Sequence, residues 1–149
     1  MTPILNGTTS RDGLRQRSQH RSKPLVLIVE DHEDTRELFR IVMESSGCSV
    51  AEAGDGEEAL RLARSLKPDL ILMDTDLPIV DGLAVTRRLR NSAVTSNVPI
   101  IFVSGHVEPE LRFTALAIGG NEFFDKPVNL SELESAVIRQ LGKGSNLGV

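Results

Sequence analysis

Leu70-Ile71-Leu72-Met73-Asp74-Thr75-Asp76-Leu77-Pro78 is the stretch on which the reading of this chain turns. Its four leading apolar residues follow a Pro68-Asp69 turn signal and are too few for a helix, so they read as a parallel strand buried on both faces. Asp74 then stands at the strand's carboxyl end. In an open α/β sheet that is where ligands and reactive groups gather, because loops leave the rigid sheet there and neighbouring strand ends converge. An aspartate fixed in such a place suits a nucleophile or a metal ligand. Aspartate after a strand also commonly just caps the following turn, so the rest of the chain has to decide.

On either side of this stretch, strand and helix patterns alternate. Leu25 to Val29 is an apolar strand entered through Pro24 and followed at once by Glu30-Asp31. A helix is expected from about Asp34, which has capping-box spacing to Glu37, with Leu38, Phe39, Val42 and Met43 as its apolar stripe and Gly47 as its stop. Cys48 to Glu52 alternates as a short strand, and Asp55 with Glu58 opens a second helix, Ala59, Leu60 and Ala63 inward, that ends before Pro68. Beyond Asp74, a loop holding Pro78 and Asp81-Gly82 leads into a helix through about Arg90 with Leu83, Val85 and Leu89 apolar. Pro99 to Val103 is a further buried strand with Ser104-Gly105 at its end, and a helix from about Pro109 to Ile118 stops at Gly119-Gly120. Glu122 to Phe124 forms a short strand running into Asp125-Lys126-Pro127. The last helix is capped at Asn129, carries Leu130, Leu133, Val137 and Leu141 on one face, and ends at Gly142.

Five strands alternating with five helices predict a doubly wound parallel sheet with right-handed crossovers, a three-layer α/β/α (βα)5 domain. All strand-to-helix loops then share one rim, which collects Glu30, Asp31, Asp74, Ser104 and Lys126. Turn capping accounts for any one of these. It does not account for four strands that each end in a group useful for binding phosphate or metal.

A chain of 149 residues with 40% hydrophobic content suits one domain. Its apolar runs are far too short to cross a bilayer and no secretory signal is visible, so a cytoplasmic protein without membrane contact is expected. Cys48 is the single cysteine, which excludes an internal disulfide and a cysteine-based zinc cluster; a small buried strand residue is its expected role. Residues 1–23 carry Arg11, Arg15, Arg17, Arg21 and Lys23 against Asp12, a charge of +4 that leaves −8 on the remainder of a chain whose net charge is −4. This arm is expected to be disordered, residues 24–141 to form the domain, and 142–149 to be a flexible tail. The arm's arginines lack interleaved aromatics, which weakens a nucleic-acid reading.

From about Lys23 to Leu141 the chain resembles the receiver domain of two-component response regulators. The family's acidic pair after the first strand is matched by Glu30-Asp31, its phosphorylated aspartate at the end of the third strand by Asp74, and the following loop by Pro78 and Asp81-Gly82. Its hydroxyl residue after the fourth strand is matched by Ser104, and its Lys-Pro pair after the fifth by Lys126-Pro127. The resemblance implies the flavodoxin-like strand order 2-1-3-4-5. It also implies phosphoryl transfer to Asp74 from a histidine kinase or histidine phosphotransfer protein, Lys126 as charge partner, and Mg²⁺ (or Mn²⁺) held by Asp31, Asp74, the backbone carbonyl of Asp76 and, through water, Glu30. Pro78, Gly82 and Pro127 are structural, with a cis bond before Pro127. Ser104 and Phe123 form the switch, and the surface of the fourth helix, fifth strand and fifth helix is what partners, a second copy included, would read. The implied protein is a phosphoacceptor rather than an enzyme with a separate substrate, and no DNA-binding domain follows the receiver in this chain.

Physical chemistry points the same way. Strands one and three as neighbours lie ~4.8 Å apart, which crowds their terminal carboxylates. Two such charges at ~4 Å repel by up to ~4 kcal/mol at an effective dielectric near 20, so a carboxyl stays protonated or a cation binds. Magnesium suits hard oxygen donors and phosphate. His32 and His106 read as loop residues, His32 in particular not as a ligand in so oxygen-rich a site. Gly120 stands where the family commonly has alanine and is expected to loosen the entry to strand five.

The rival reading is a haloacid dehalogenase-like phosphatase with Asp74 as nucleophile and Asp76 as acid/base. That family places its Asp-x-Asp on the first strand with further acids downstream, the reverse of the order here. Turnover of an exogenous phosphomonoester would favour the phosphatase, and stoichiometric phosphorylation the receiver.

Overall fold

The three most apolar runs of the chain become the three central strands of one sheet. The computed structural model describes residues 21–106 and 108–145, so the expected disorder of residues 1–20 and the end of the expected tail lie outside the described residues. Strands β1 (Leu25–Val29), β2 (Ser49–Ala53), β3 (Leu70–Asp74), β4 (Ile100–Ser104) and β5 (Glu122–Asp125) pair in parallel in the order β2-β1-β3-β4-β5. Every residue of β3 and β4 is buried, while the edge strands β2 and β5 mix buried and exposed positions. A parallel sheet covered on both faces demands this gradient, because only its edges meet water.

Helices α1 (Glu33–Ser45), α2 (Gly56–Leu66), α3 (Gly82–Arg90), α4 (Pro109–Ala117) and α5 (Leu130–Ser145) cover the two faces. Alternation along each strand divides the core. Leu27, Val29, Ile71, Met73, Ile100, Phe102 and Phe123 pack with the inward residues of α2, α3 and α4. Val26, Ile28, Leu70, Leu72, Ile101 and Val103 pack with Phe39 and Met43 of α1 and Leu133, Ala136 and Val137 of α5. No helix among the described residues is long and apolar enough to cross a membrane.

Local differences from the sequence reading have physical causes. Helix α1 begins one residue early, with His32 at its N-cap and no side-chain cap, so Asp34 sits inside the first turn, where a carboxylate still favours the helix dipole. Leu38 is 45% exposed, leaving Phe39 and Met43 to anchor that helix. The Asp55 carboxylate does accept the Glu58 N–H at 2.8 Å, but Glu58 reaches back to the Gly54 N–H rather than to that of Asp55. Cys48 is buried just ahead of β2 rather than within it. Helix α5 continues past Gly142 to Ser145. Arg21, assigned from sequence to the disordered arm, is seated on the body: its guanidinium donates to the carbonyls of Leu66 and Lys67 and pairs with Asp69 at 3.1 Å, closing the C-terminus of α2.

Gly120 tightens the structure rather than loosening it. A Cβ added there would lie 2.6 Å from Phe102 Cε2 and 2.8 Å from the Ala115 carbonyl oxygen, so the Phe102 ring fills the space an alanine would take. Gly120→Ala is therefore expected to destabilise the domain by about 1–3 kcal/mol. Gly142→Ala, in a helix with open space at that position, is expected to stabilise it by up to about 1 kcal/mol. Urea denaturation of the two variants beside wild type measures both signs.

Candidate functional site

The pairing of β1 with β3, Val29 beside Met73, brings the residues that follow each strand to one place on the rim. Glu30 is 1% and Asp74 3% exposed, so both carboxylates are nearly sealed from water. Between them stands Lys126, carried in at the end of β5, its Nζ 2.9 Å from Glu30 Oε1 and 3.3 Å from Asp74 Oδ2. The Lys126–Pro127 peptide bond is cis. Asp76 contributes its backbone, whose N–H donates to Asp74 Oδ1 at 3.0 Å. Its side chain turns outward, 77% exposed, toward His106 Nε2 at 3.3 Å.

One ammonium shared by two buried carboxylates divides their protonation. Burial alone would raise Glu30, but the bond to Lys126, that group's charge and the His32 donors outweigh it and hold Glu30 below its ordinary value. Asp74 moves the other way, to about 6, because burial dominates and the Glu30 charge adds to it, while the Asp76 N–H and Lys126 only partly offset them. Burial works against the Lys126 charge, yet its two carboxylate partners more than reverse this and hold its pKa above the usual lysine value.

Asp31 lies at the open side of this cluster, its side chain 30% exposed. His32 has more to do than fill a loop: its N–H and Nδ1 meet Glu30 Oε2 at 3.2 and 3.1 Å, and Nδ1 lies 3.3 Å from Asp31 Oδ1. Ligand atoms of Glu30, Asp31, His32 and Asp74 all fall within 4.8 Å of one another. Two carboxylates on a single ammonium, with the more exposed Asp31 carboxylate beside them, form a hard oxygen set that fits a divalent cation retaining part of its water.

The remaining predicted residues frame this centre. Gly82 opens α3 with its N–H on the Thr75 carbonyl, and a Cβ there would lie 2.2 Å from the Asp74 carbonyl oxygen, so no other residue lets α3 approach β3 this closely. The Pro78 carbonyl accepts the N–H groups of both Gly56 and Val80, tying the loop after Asp74 to α2. Ser104 is fully buried, but its Oγ is engaged by Thr75 Oγ1 at 2.7 Å and by the His106 N–H at 3.1 Å, and among the described residues it makes no bond to Asp74. Phe123 is already inward and buried, its ring 6.3 Å from that of Phe102 and beneath the Arg112 guanidinium, so an inward rotation has its end point filled here. Arg36, whose Nη1 donates to the Glu30 carbonyl at 2.8 Å, escaped the sequence reading as a member of the site, and so did the bond of Thr75 to Ser104. That bond was legible in principle, since the register pairing Asp74 with Val103 sets Thr75 beside Ser104.

Comparison with known proteins agrees with this geometry. The model of the response regulator receiver domain matches residues 26–138. The chain belongs to the response regulator receiver family. Among receiver-containing relatives it is 32% identical over 124 residues to the phosphate regulon transcriptional regulatory protein PhoB of Pseudomonas aeruginosa, covering 81% of this chain and 54% of that protein. To the CAI-1 autoinducer sensor kinase/phosphatase CqsS of Vibrio cholerae it is 36% identical over 123 residues, 82% of this chain and 18% of that protein. The chain thus spans about half the length, or less, of these relatives. Among solved structures, the receiver domain of the sensor histidine kinase PA1611 from Pseudomonas aeruginosa, crystallised with a magnesium ion in its active site cleft, matches with a TM-score of 0.75 and 31% identity, covering 81% of this chain and 99% of that one. A putative response regulator from Chloroflexus aurantiacus matches with a TM-score of 0.78 and 28% identity, covering 81% and 99%. Receiver domains are signalling modules that accept a phosphoryl group in two-component systems. The phosphatase alternative finds no support, and the outward Asp76 side chain is badly placed to serve as its acid/base.

The raised pKa of Asp74 has a consequence for stability. Between about pH 4 and pH 6 the folded receiver holds a proton on Asp74 that the unfolded chain has released, so this group's contribution falls as pH rises through that window. Asp74→Asn removes the loss. In metal-free buffer at pH 7.5 the variant is expected to be more stable by on the order of 1–2 kcal/mol, screening by nearby water included, and at pH 4 the difference should nearly vanish. Thermal melts at the two pH values measure it.

Proposed function

We propose that Asp74 takes a phosphoryl group from the phosphohistidine of a histidine kinase or a histidine phosphotransfer protein, and that this event resets the surface read by a downstream protein. The observation that carries the reading is the Asp74 carboxylate, sealed from bulk water yet held between the Asp76 N–H and the Lys126 ammonium at the mouth of the sheet. A carboxylate oxygen of Asp74 forms the new P–O bond as the P–N bond to the donor imidazole breaks, and the imidazole leaves with the electron pair and regains a proton. Phosphoryl transfer asks chiefly for positioning and for charge to balance the equatorial oxygens. Lys126 supplies one positive charge, free to turn from Glu30 and Asp74 toward the incoming group. The N–H of Asp76 orients the acceptor. Asp31, Asp74 and the Asp76 carbonyl, with Glu30 through water, would hold Mg²⁺, or Mn²⁺ with the same donors, which when bound supplies further positive charge to the phosphoryl oxygens.

Added phosphoryl charge would draw the Ser104 hydroxyl toward Asp74, and the change would spread to the surface of α4, β5 and α5, where Phe113 is 75% exposed. That surface is the proposed contact for a target or for a second copy. The domain so read is a phosphoacceptor of the cytoplasm, with residues 24–141 as its body, and catalyses only its own phosphorylation and dephosphorylation.

Incubation with acetyl phosphate and Mg²⁺ is expected to add one phosphoryl group, read as intact mass. Asp74→Asn and chelation should each abolish the adduct, and Lys126→Ala should slow its formation at least tenfold. An adduct that survives Asp74→Asn, or steady release of phosphate from a phosphomonoester without an adduct, overturns the reading.

A further inference from the structure

Thr75 has no part in the chemistry above, yet it is 6% exposed and, among the described residues, spends its hydroxyl on one partner, the Ser104 Oγ at 2.7 Å. We propose that Thr75 is a positioning residue that holds Ser104 in its unphosphorylated orientation, so that this bond between two hydroxyls sets how readily the switch is thrown. The inference rests on the reading of Asp74 as phosphoacceptor.

Register supplies the first argument. Asp74 pairs with Val103 across β3 and β4, and one step on Thr75 lies beside Ser104, so their side chains share one side of the sheet while the Asp74 carboxylate lies on the other, with Lys126. Valence supplies the second. Ser104 Oγ accepts from Thr75 and from the His106 N–H, which fills its two acceptor positions and leaves its own proton for a new partner. Moving Ser104 toward a phosphoryl oxygen would strand the Thr75 hydroxyl in a nearly sealed place, where a polar group without a partner is costly. Packing supplies the third: a valine fills almost the same β-branched shape, so the hydroxyl earns its place through the bond rather than through volume.

The test uses beryllofluoride with Mg²⁺ as a stable stand-in for the phosphoryl group, with affinity read by titration and the Ser104 and His106 amides followed by NMR. Thr75→Val is expected to bind beryllofluoride roughly five- to tenfold more tightly than wild type, the equilibrium equivalent of one buried hydrogen bond. Its free, metal-free spectrum should move part of the way toward the bound one. Thr75→Ser should restore wild-type affinity, and in a Ser104→Ala background Thr75→Val should change nothing. Wild type alone gives an independent reading: a slowly exchanging Thr75 hydroxyl proton in the free protein that is lost on binding. Unchanged or weaker affinity in Thr75→Val, or a gain that persists without Ser104, overturns the inference and leaves Asp74 as phosphoacceptor intact. Failure of wild type to bind beryllofluoride overturns the reading of Asp74, and this inference with it.

Discussion

Two carboxylates shut away from water at adjacent strand ends, with one ammonium between them, are the constraint on which the rest of this molecule depends. Left unpaired, Glu30 and Asp74 would repel by several kcal/mol, since their charges are poorly screened where they lie. Burial and the Glu30 charge push Asp74 up to about 6 despite Lys126, while Lys126 and the His32 donors hold Glu30 below its ordinary value against the same burial. An arrangement of this kind is a poor way to stabilise a fold, because desolvation consumes most of what the charges return. It is a good way to keep a carboxylate aimed and underemployed, which is what an acceptor for phosphorus requires.

The sheet holds that arrangement still. Strands β1, β3 and β4 are buried along nearly their whole length, so their carboxyl ends have little freedom to separate. Around them the loops are tied through their main-chain carbonyls. Gly82 lets α3 approach the Asp74 carbonyl, Arg36 bonds to the Glu30 carbonyl, and the Pro78 carbonyl takes two N–H groups. Part of the cost is visible at Ile79, a β-branched residue at φ +70° with a side chain 72% exposed. The neighbouring contacts of Pro78 and Val80 hold the chain in that conformation.

The loops after β3 and β4 meet through two hydroxyls and one imidazole. Ser104 sits between Thr75 and the His106 N–H, and the His106 ring reaches back to Asp76, so the loops after β3 and β4 are joined across the mouth of the site by contacts weak enough to exchange. The aromatic side of the same strand end is firmer. Phe123 lies against Phe102 and beneath Arg112, and Phe102 in turn occupies the space that Gly120 leaves open. On the function proposed above, a signal from Asp74 toward α4 and β5 would begin at the Ser104 hydroxyl and meet this packed aromatic cluster.

Read alone, the chain determined its five strands, their helices, and the five groups on one rim, because each depends on local pattern: unbroken apolar runs, turn residues, and a polar residue just past each strand. The family resemblance added the strand order, which the sheet shows, and the roles expected of the rim residues. What the chain by itself left open depended on distance in space. Glu30 and Asp74 carry the same kind of side chain after the same kind of strand, and only their surroundings in space separate their protonation: Lys126 lies 0.4 Å nearer to Glu30, which also accepts from the His32 N–H, whereas burial and the Glu30 charge dominate at Asp74. His32 read as a loop residue until the turn after β1 set it against Glu30, and the bond of Thr75 to Ser104 emerged only with strand register. Gly120 read as slack until the Phe102 ring was found in its place. Sequence spacing records which groups a strand delivers to the rim, whereas hydrogen bonds, burial and the sharing of a single charge are set by the packing of elements far apart along the chain.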